Sequence, residues 1–293
     1  MRTASGIARA IVVILDGLRA DAVPLFPLPH LRRLAEAGAY TLAGQTVQPS
    51  ITPAALGSFL TGMAPRLHGV ESDRILASRP RRELTPLPTL LRRHGVPVRA
   101  FRETLPPFTR GVAARVTKRL EIEATFAGAT SDQVLDAALP SLVRRDPGLS
   151  ILHWLDADRA GHARGWGSAD YAAAARRLDA TLGRLLERVA PDRDPATLLI
   201  VFADHGGGGR RARDHDSTHP LDTTIPIILA GGQVIPQVLG YGASLLDIPA
   251  TIAWAFGVHR PPTWGGRPLA EALQLPGRPS AVPPAVAAPR QAA

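Results

Sequence analysis

The sequence predicts an α/β fold of three layers, α/β/α, with a mostly parallel central sheet. Two observations carry that prediction. Apolar runs rich in β-branched residues recur along the chain, and helical periodicity fills the intervals between them. The first run, "RAIVVILDG", is continuous rather than alternating, as expected of a strand covered on both faces. "LPHLRRLAEAGAY" follows with helical spacing and a glycine stop at Gly38. "VPVRAF" (Val96 to Phe101) is a weaker strand. "LSILHWLDAD" (Leu149 to Asp158), "ATLLIVFADH" (Ala196 to His205) and "TTIPIILAGG" match the first run in kind. Between them, Tyr171 to Val189 puts Ala174, Leu178, Leu182, Leu185 and Val189 on one helical face. Parallel strands deliver their carboxyl ends to one edge, which is where such sheets bind ligands.

Two segments depart from this rhythm. Residues 101–128 are rich in proline and arginine without a clean period, and are expected to form a small lid inserted into a catalytic domain spanning residues 1–275. Residues 276–293, "PGRPSAVPPAVAAPRQAA", hold too few large apolar side chains to fold and are expected to be a disordered tail.

Composition narrows the function classes. Hydrophobic residues make up 45% and charged residues 20% of the chain, a globular balance. The formal charge is +9 and almost all of the positive charge is arginine, Lys118 being the only lysine. That excess favours anionic partners such as phosphate esters. The arginines are scattered and no aromatic-rich basic stripe accompanies them, so no specific nucleic-acid binding is expected. With no cysteine, a metal can be held only by His, Asp, Glu or hydroxyl. The first apolar run is cut off at Asp16 before any signal-peptide cleavage pattern, and no run approaches the ~18 apolar residues of a membrane span. A cytoplasmic protein without membrane contact is the expectation.

Three of the strong strands end on the same chemistry. Asp16 closes the first. Asp156 and Asp158 close "ILHWLDAD", with His162 four residues past Asp158. Asp204 and His205 close "LLIVFADH", and His215 lies ten residues beyond His205. Taken singly, an aspartate after a strand is commonly a cap or turn residue, and Asp158 with His162 is commonly a surface pair on a helix. Gathered at one sheet edge, two aspartates with one histidine suit one divalent ion, and one aspartate with two histidines another. Two ions ~4 Å apart clamp the entering and leaving oxygens of a phosphoryl transfer. "VQPSITPAALGSFLTG" supplies hydroxyls at the foot of a helix: Ser50 or Thr52 reads as its N-cap, with Pro53 at the first helical position. A helix N-terminus also favours a phosphate, and a metal-activated hydroxyl there is a nucleophile. The four glycines after His205 are expected to let the chain turn tightly towards His215; His153 and Trp154 read as core.

With these motifs in place, the sequence resembles the alkaline phosphatase superfamily, most closely its type I phosphodiesterase/nucleotide pyrophosphatase branch. "VVILDGLRAD" resembles the opening strand of that family, whose aspartate maps to Asp16. "TPAALGSFLTGMAPRLHGV" puts Thr52 ten residues before Gly62 and keeps Pro65, His68 and Gly69. The D-x-x-G-H motif corresponds to Asp158, Gly161 and His162, and D-H-G to Asp204, His205 and Gly206. The last ligand, eleven residues before Pro226, falls on His215 and not on His219. The resemblance implies one ion on Asp16, Thr52, Asp204 and His205 and a second on Asp158, His162 and His215. Carboxylates mixed with imidazoles suit zinc, with manganese as the alternative, and the resemblance implies a phosphothreonine intermediate at Thr52 on a small-molecule phosphoester. Ala55 and Leu56 depart from the pattern: relatives carry Asn at the first of these, and its amide binds a phosphoryl oxygen. Arg19 and Arg159, beside the metal motifs, are the candidate replacements. A phosphomonoesterase, a phosphonate hydrolase or a catalytically weak binding protein on this fold are the alternative readings.

Overall fold

The computed structural model describes residues 6–72, 80–105, 107–240 and 242–275. The proline- and alanine-rich tail expected at 276–293 lies outside the described residues. Eight strands form one sheet: β1 (Arg9–Leu15), β2 (Ala39–Gln45), β3 (Val98–Arg102), β4 (Glu123–Phe126), β5 (Gly148–Trp154), β6 (Thr197–Phe202), β7 (Thr224–Ala230) and β8 (Gln237–Val238). Their order is β4-β3-β5-β1-β6-β7-β2-β8. The three continuous apolar runs occupy the middle, where β1 pairs in parallel with β5 on one side and β6 on the other, every residue of all three being buried. Burial on both faces explains why these strands do not alternate.

One group of helices (Pro29–Glu36, Ser131–Val143, Asp156–Arg164 and Ala169–Val189) packs together, and a second (Thr52–Thr61, Pro65–His68, Leu87–Arg93 and Asp247–Ala255) packs together apart from it. Along Ala169–Val189 the expected stripe of Ala174, Leu178, Leu182, Leu185 and Val189 is buried. Among the described residues, no helix is long and apolar enough to cross a membrane.

The structure also departs from the sequence reading. β7 runs antiparallel to both β6 and β2, so the start of β7 rather than its end lies at the edge reached by the end of β6. β2 carries no clear strand signal in the sequence, because its half-exposed "AYTLAGQ" follows directly on a helix. The helix Pro29–Glu36 stops just before Gly38, with Ala37 as its C-cap; a Cβ at Gly38 would meet the Leu229 carbonyl oxygen at 2.2 Å, so glycine also lets the backbone pass close to β7. Residues 101–128 hold the end of β3, the helix Pro107–Arg119 and β4, which pairs in parallel with β3. They extend the sheet at its edge as a βαβ unit.

Candidate metal centre and active site

The carboxyl edge of β1, β5 and β6 gathers the expected side chains. Asp16 follows β1 directly and is tied to the neighbouring strand by its N–H, which donates to the Trp154 carbonyl at 2.9 Å. Asp204 and His205 leave β6. Asp158 and His162 lie one turn apart on the helix Asp156–Arg164, not at the end of β5 itself. Gly17 lets these pieces meet. Its φ is +69°, and a Cβ would come within 2.9 Å of the Asp158 Cα. The Asp158 N–H donates to the Asp16 carbonyl across this contact at 3.1 Å.

Two triads result. Asp16, Asp204 and His205 are fully buried, and His205 Nε2 stands 3.3 Å from Asp16 Oδ1 and 3.6 Å from Asp204 Oδ2. Asp158, His162 and His215 form the second, with His162 Nε2 3.4 Å and His215 Nε2 3.8 Å from Asp158 Oδ1. The rings of His205 and His215 stack, with centroids 3.8 Å apart and planes within 5°, and join the two triads. His219 belongs to neither; its Nδ1 accepts the Leu221 N–H and caps a short helix.

The donor chemistry fits divalent cations. Each histidine has Nδ1 against a backbone carbonyl: His205 to Gly206 at 2.8 Å, His215 to Ser50 at 2.6 Å, and His162 to Arg213 at 3.0 Å. A carbonyl only accepts, so Nδ1 carries a proton, and Nε2 is the nitrogen that, once deprotonated, turns its lone pair to a metal. Those of His162 and His215 face each other at 3.1 Å, a repulsive arrangement that a shared cation or proton relieves. Asp158 Oδ1 and Asp204 Oδ2 are buried without a hydrogen-bond partner, which is costly unless a cation satisfies them.

Electrostatics agree with that geometry. Burial opposes ionisation of Asp16, but hydrogen bonds from His153 and His205 outweigh it and hold the group far below the usual carboxylate range. Burial and the Asp16 charge then push Asp158 up to about 7 and Asp204 up to about 8. Burial lowers His205, but Asp204 and Asp16 overcome it and raise the ring to about 10. Burial and the charge of His205 lower His215 to about 4. Three carboxylates crowded together without a cation cannot all ionise.

Thr52 opens the helix Thr52–Thr61, with Oγ1 3.0 Å from His205 Nε2 and 3.4 Å from Asp16 Oδ1. The expected capping does not occur. Ile51 is the N-cap, without a side-chain hydrogen bond, and Pro53 is the second helical residue. The Ser50 hydroxyl donates instead to the carbonyls of His215 and Ser217, which pins the loop carrying His215. A cleft of about 640 Å³ opens beside Thr52 and is lined by Pro49, Ile51, His162, His215 and Asp216 among others.

Neither candidate arginine faces this cleft. Arg19 pairs with Asp21 and lines a separate depression with Leu42 and Leu221. Arg159 pairs with Glu103 and lies 3.7 Å from Asp156. Ala55 is fully buried. Asp156 orients no histidine of either triad; it accepts the Ser131 N–H at 3.1 Å. Two residues carry more than the sequence suggested. His153 is buried as expected, yet its Nε2 lies 2.7 Å from Asp16 Oδ2. Trp166 donates from Nε1 to the Gly17 carbonyl at 2.8 Å and sets its indole edge-on to His162 and His215. No signal within either residue's own neighbourhood in the sequence marks these partners.

A three-layer α/β protein with this sheet order has the alkaline phosphatase-like fold, and it carries two acid–imidazole triads around a helix-terminal hydroxyl. The chain belongs to the type I phosphodiesterase / nucleotide pyrophosphatase family, whose model matches residues 10–84 and 78–226. The phosphonate monoester hydrolase of Silicibacter pomeroyi superposes with a TM-score of 0.69 at 16% identity, over 90% of this chain and 76% of that one. Murine ectonucleotide pyrophosphatase/phosphodiesterase 5, in complex with AMP, superposes with a TM-score of 0.65 at 14% identity, over 88% of this chain and 98% of that one. Such identities speak for the fold alone. The chain is also 30% identical over 165 residues to the 2,3-bisphosphoglycerate-independent phosphoglycerate mutase of a Synechococcus species, covering 51% of this chain. It spans only 30% of that relative's length.

Proposed function

We propose that this protein is a metal-dependent phosphoester hydrolase of the phosphodiesterase or nucleotide pyrophosphatase type, acting on a small-molecule substrate through a phosphothreonine at Thr52. The observation that carries the proposal is the Thr52 hydroxyl, 3.0 Å from His205 Nε2 and 3.4 Å from Asp16 Oδ1 at an uncapped helix start, with the cleft beside it. Asp16, Asp204 and His205, with the Thr52 oxygen, would hold one cation. Asp158, His162 and His215 would hold the other. Mixed carboxylate and imidazole donors suit zinc, with manganese the alternative. Such cations, when bound, acidify a hydroxyl and neutralise charge on a phosphoryl group. Thr52 Oγ1 loses its proton to solvent and attacks phosphorus; its new O–P bond forms as the bond to the leaving oxygen breaks. Water then attacks the phosphothreonine, phosphate or phosphomonoester departs, and the hydroxyl is restored. The start of the helix Thr52–Thr61 favours the anionic substrate.

The test is a panel of bis(4-nitrophenyl) phosphate, 4-nitrophenyl phosphate and a phosphonate ester with metal-free, zinc-loaded and manganese-loaded protein. Diester hydrolysis that vanishes on chelation and returns with zinc is expected. A buried Ala55 offers no amide to a diester oxygen, so preference for the monoester or phosphonate is the second reading. A metal-replete protein inert towards all three would instead make it a binding protein.

Proton release gives a measurement independent of turnover. With Asp158 raised to about 7, Asp204 to about 8 and His205 to about 10, the metal-free centre holds extra protons at pH 7. A cation binds the deprotonated forms, so each uptake expels protons, and affinity climbs as pH rises through these values. Zinc titration at pH 7 in two buffers of different ionisation enthalpy should register about two protons released per chain. Uptake without proton release would contradict ligation by these groups.

A further inference from the structure

Asp16 divides its two oxygens between different neighbours. Oδ1 faces Thr52 Oγ1 at 3.4 Å and His205 Nε2 at 3.3 Å; Oδ2 faces His153 Nε2 at 2.7 Å. We propose that His153 is the positioning residue for Asp16: its Nε2–H holds Oδ2, so that Oδ1 alone is presented to Thr52 and to the cation of the buried triad. The inference rests on the two-cation reading above.

Comparison within the triad shows why such a residue is needed. The Asp204 carboxylate is fixed by backbone donors, its Oδ1 accepting from the N–H of Gly17 at 3.3 Å and of His205 at 3.1 Å. Among the described residues, the Asp16 carboxylate receives no backbone N–H; His153 supplies from a neighbouring strand what the main chain supplies to Asp204. The register makes this possible. His153 pairs with Ile14, so it stands on the sheet face that Asp16 shares, two residues on. Asp16 is 1% and His153 4% exposed, which leaves bulk water no access to Oδ2. Nothing else in the triad can substitute, since His205 already spends Nδ1 on the Gly206 carbonyl. Without the His153 N–H, the carboxylate is free to rotate about its Cβ–Cγ bond, and Oδ2 competes with Oδ1 for the same cation.

The test is zinc titration of the metal-free full-length chain against a chromophoric chelator, for the wild type, His153→Phe and His153→Gln. Partners that orient a metal ligand are typically worth 10–100-fold in affinity. His153→Phe should therefore weaken one of the two zinc sites by about 10–100-fold and leave the other essentially as it was. His153→Gln, whose amide N–H reaches the place of Nε2, should recover most of the loss. Thermal unfolding of the metal-free variants serves as the control for folding. Two sites weakened alike, two sites unchanged, or a glutamine variant no better than phenylalanine would overturn the proposal. A wild type that takes up no zinc would overturn the two-cation reading as well, so the two failures are distinguishable.

Discussion

Thr52→Ala is expected to lower turnover by about 10⁴-fold or more while the protein stays folded and still takes up metal at saturating zinc. Deleting a covalent nucleophile removes the reaction path itself, and a loss of that size corresponds to roughly 5.5 kcal/mol in the barrier. The substitution costs the fold little. Thr52 caps nothing, because Ile51 is the N-cap and makes no side-chain hydrogen bond. Among the described residues, its hydroxyl bonds to Asp16 and His205, both of which keep other partners. On the proposed reading the six side chains of the two triads would remain for zinc, the buried triad losing the threonine oxygen and the other triad none. Thr52→Ser keeps the attacking oxygen and should recover much of the rate, since the missing methyl takes no part in the bond changes. Steady-state hydrolysis of a nitrophenyl ester, with metal content measured on the same samples, checks the set. An alanine variant within tenfold of the wild type would move the nucleophile from Thr52 to water.

The legible part of this molecule is the part where local pattern and tertiary role coincide. Asp16, Asp204 and His205 end continuous β-branched apolar runs, the pattern of a strand buried on both faces, and such strands deliver their ends to a ligand edge. Asp158 and His162 fall one helical turn apart, so their shared face follows from spacing alone. What escaped the sequence depends on pairing across long separations. An apolar run carries no mark of direction, and β7 reads like β6 although it runs the other way. β2 alternates only weakly, yet it leads the chain to Thr52. His153 has the burial its neighbours predict, but its partner Asp16 lies 137 residues away. The partners of the arginines were hidden for a related reason. Proximity to a motif along the chain says nothing about which carboxylate a guanidinium finds, and Arg19 and Arg159 find Asp21 and Glu103.

Gly207→Ala should destabilise the protein by about 3 kcal/mol, the upper part of the overpacking range, and weaken zinc at the triad of Asp158, His162 and His215. The glycines after His205 were expected to serve a tight turn, but among Gly206 to Gly209 only Gly208 has a positive φ, at +78°. The others are glycine because something lies where a side chain would go. At Gly207 a Cβ would stand 2.1 Å from Trp166 Cε2. The indole cannot yield on its other side, because a Cβ at Gly161 would meet the same atom at 2.4 Å; Trp166 is wedged between two bare backbones. It is also 1% exposed and fixed by its bond to the Gly17 carbonyl. Any shift pushes its edge against His162 and His215, whose ring centroids lie 5.1 and 5.6 Å away. Urea unfolding with zinc titration reads both effects, and a double-mutant cycle with Trp166→Phe isolates the cause. The smaller ring forfeits the hydrogen bond to Gly17 but makes room, so the alanine should cost at least about 1 kcal/mol less in that background. Strict additivity of the two substitutions would mean that the collision between the added methyl group and the indole is relieved by backbone movement, and that Trp166 does not set the place of the two histidines.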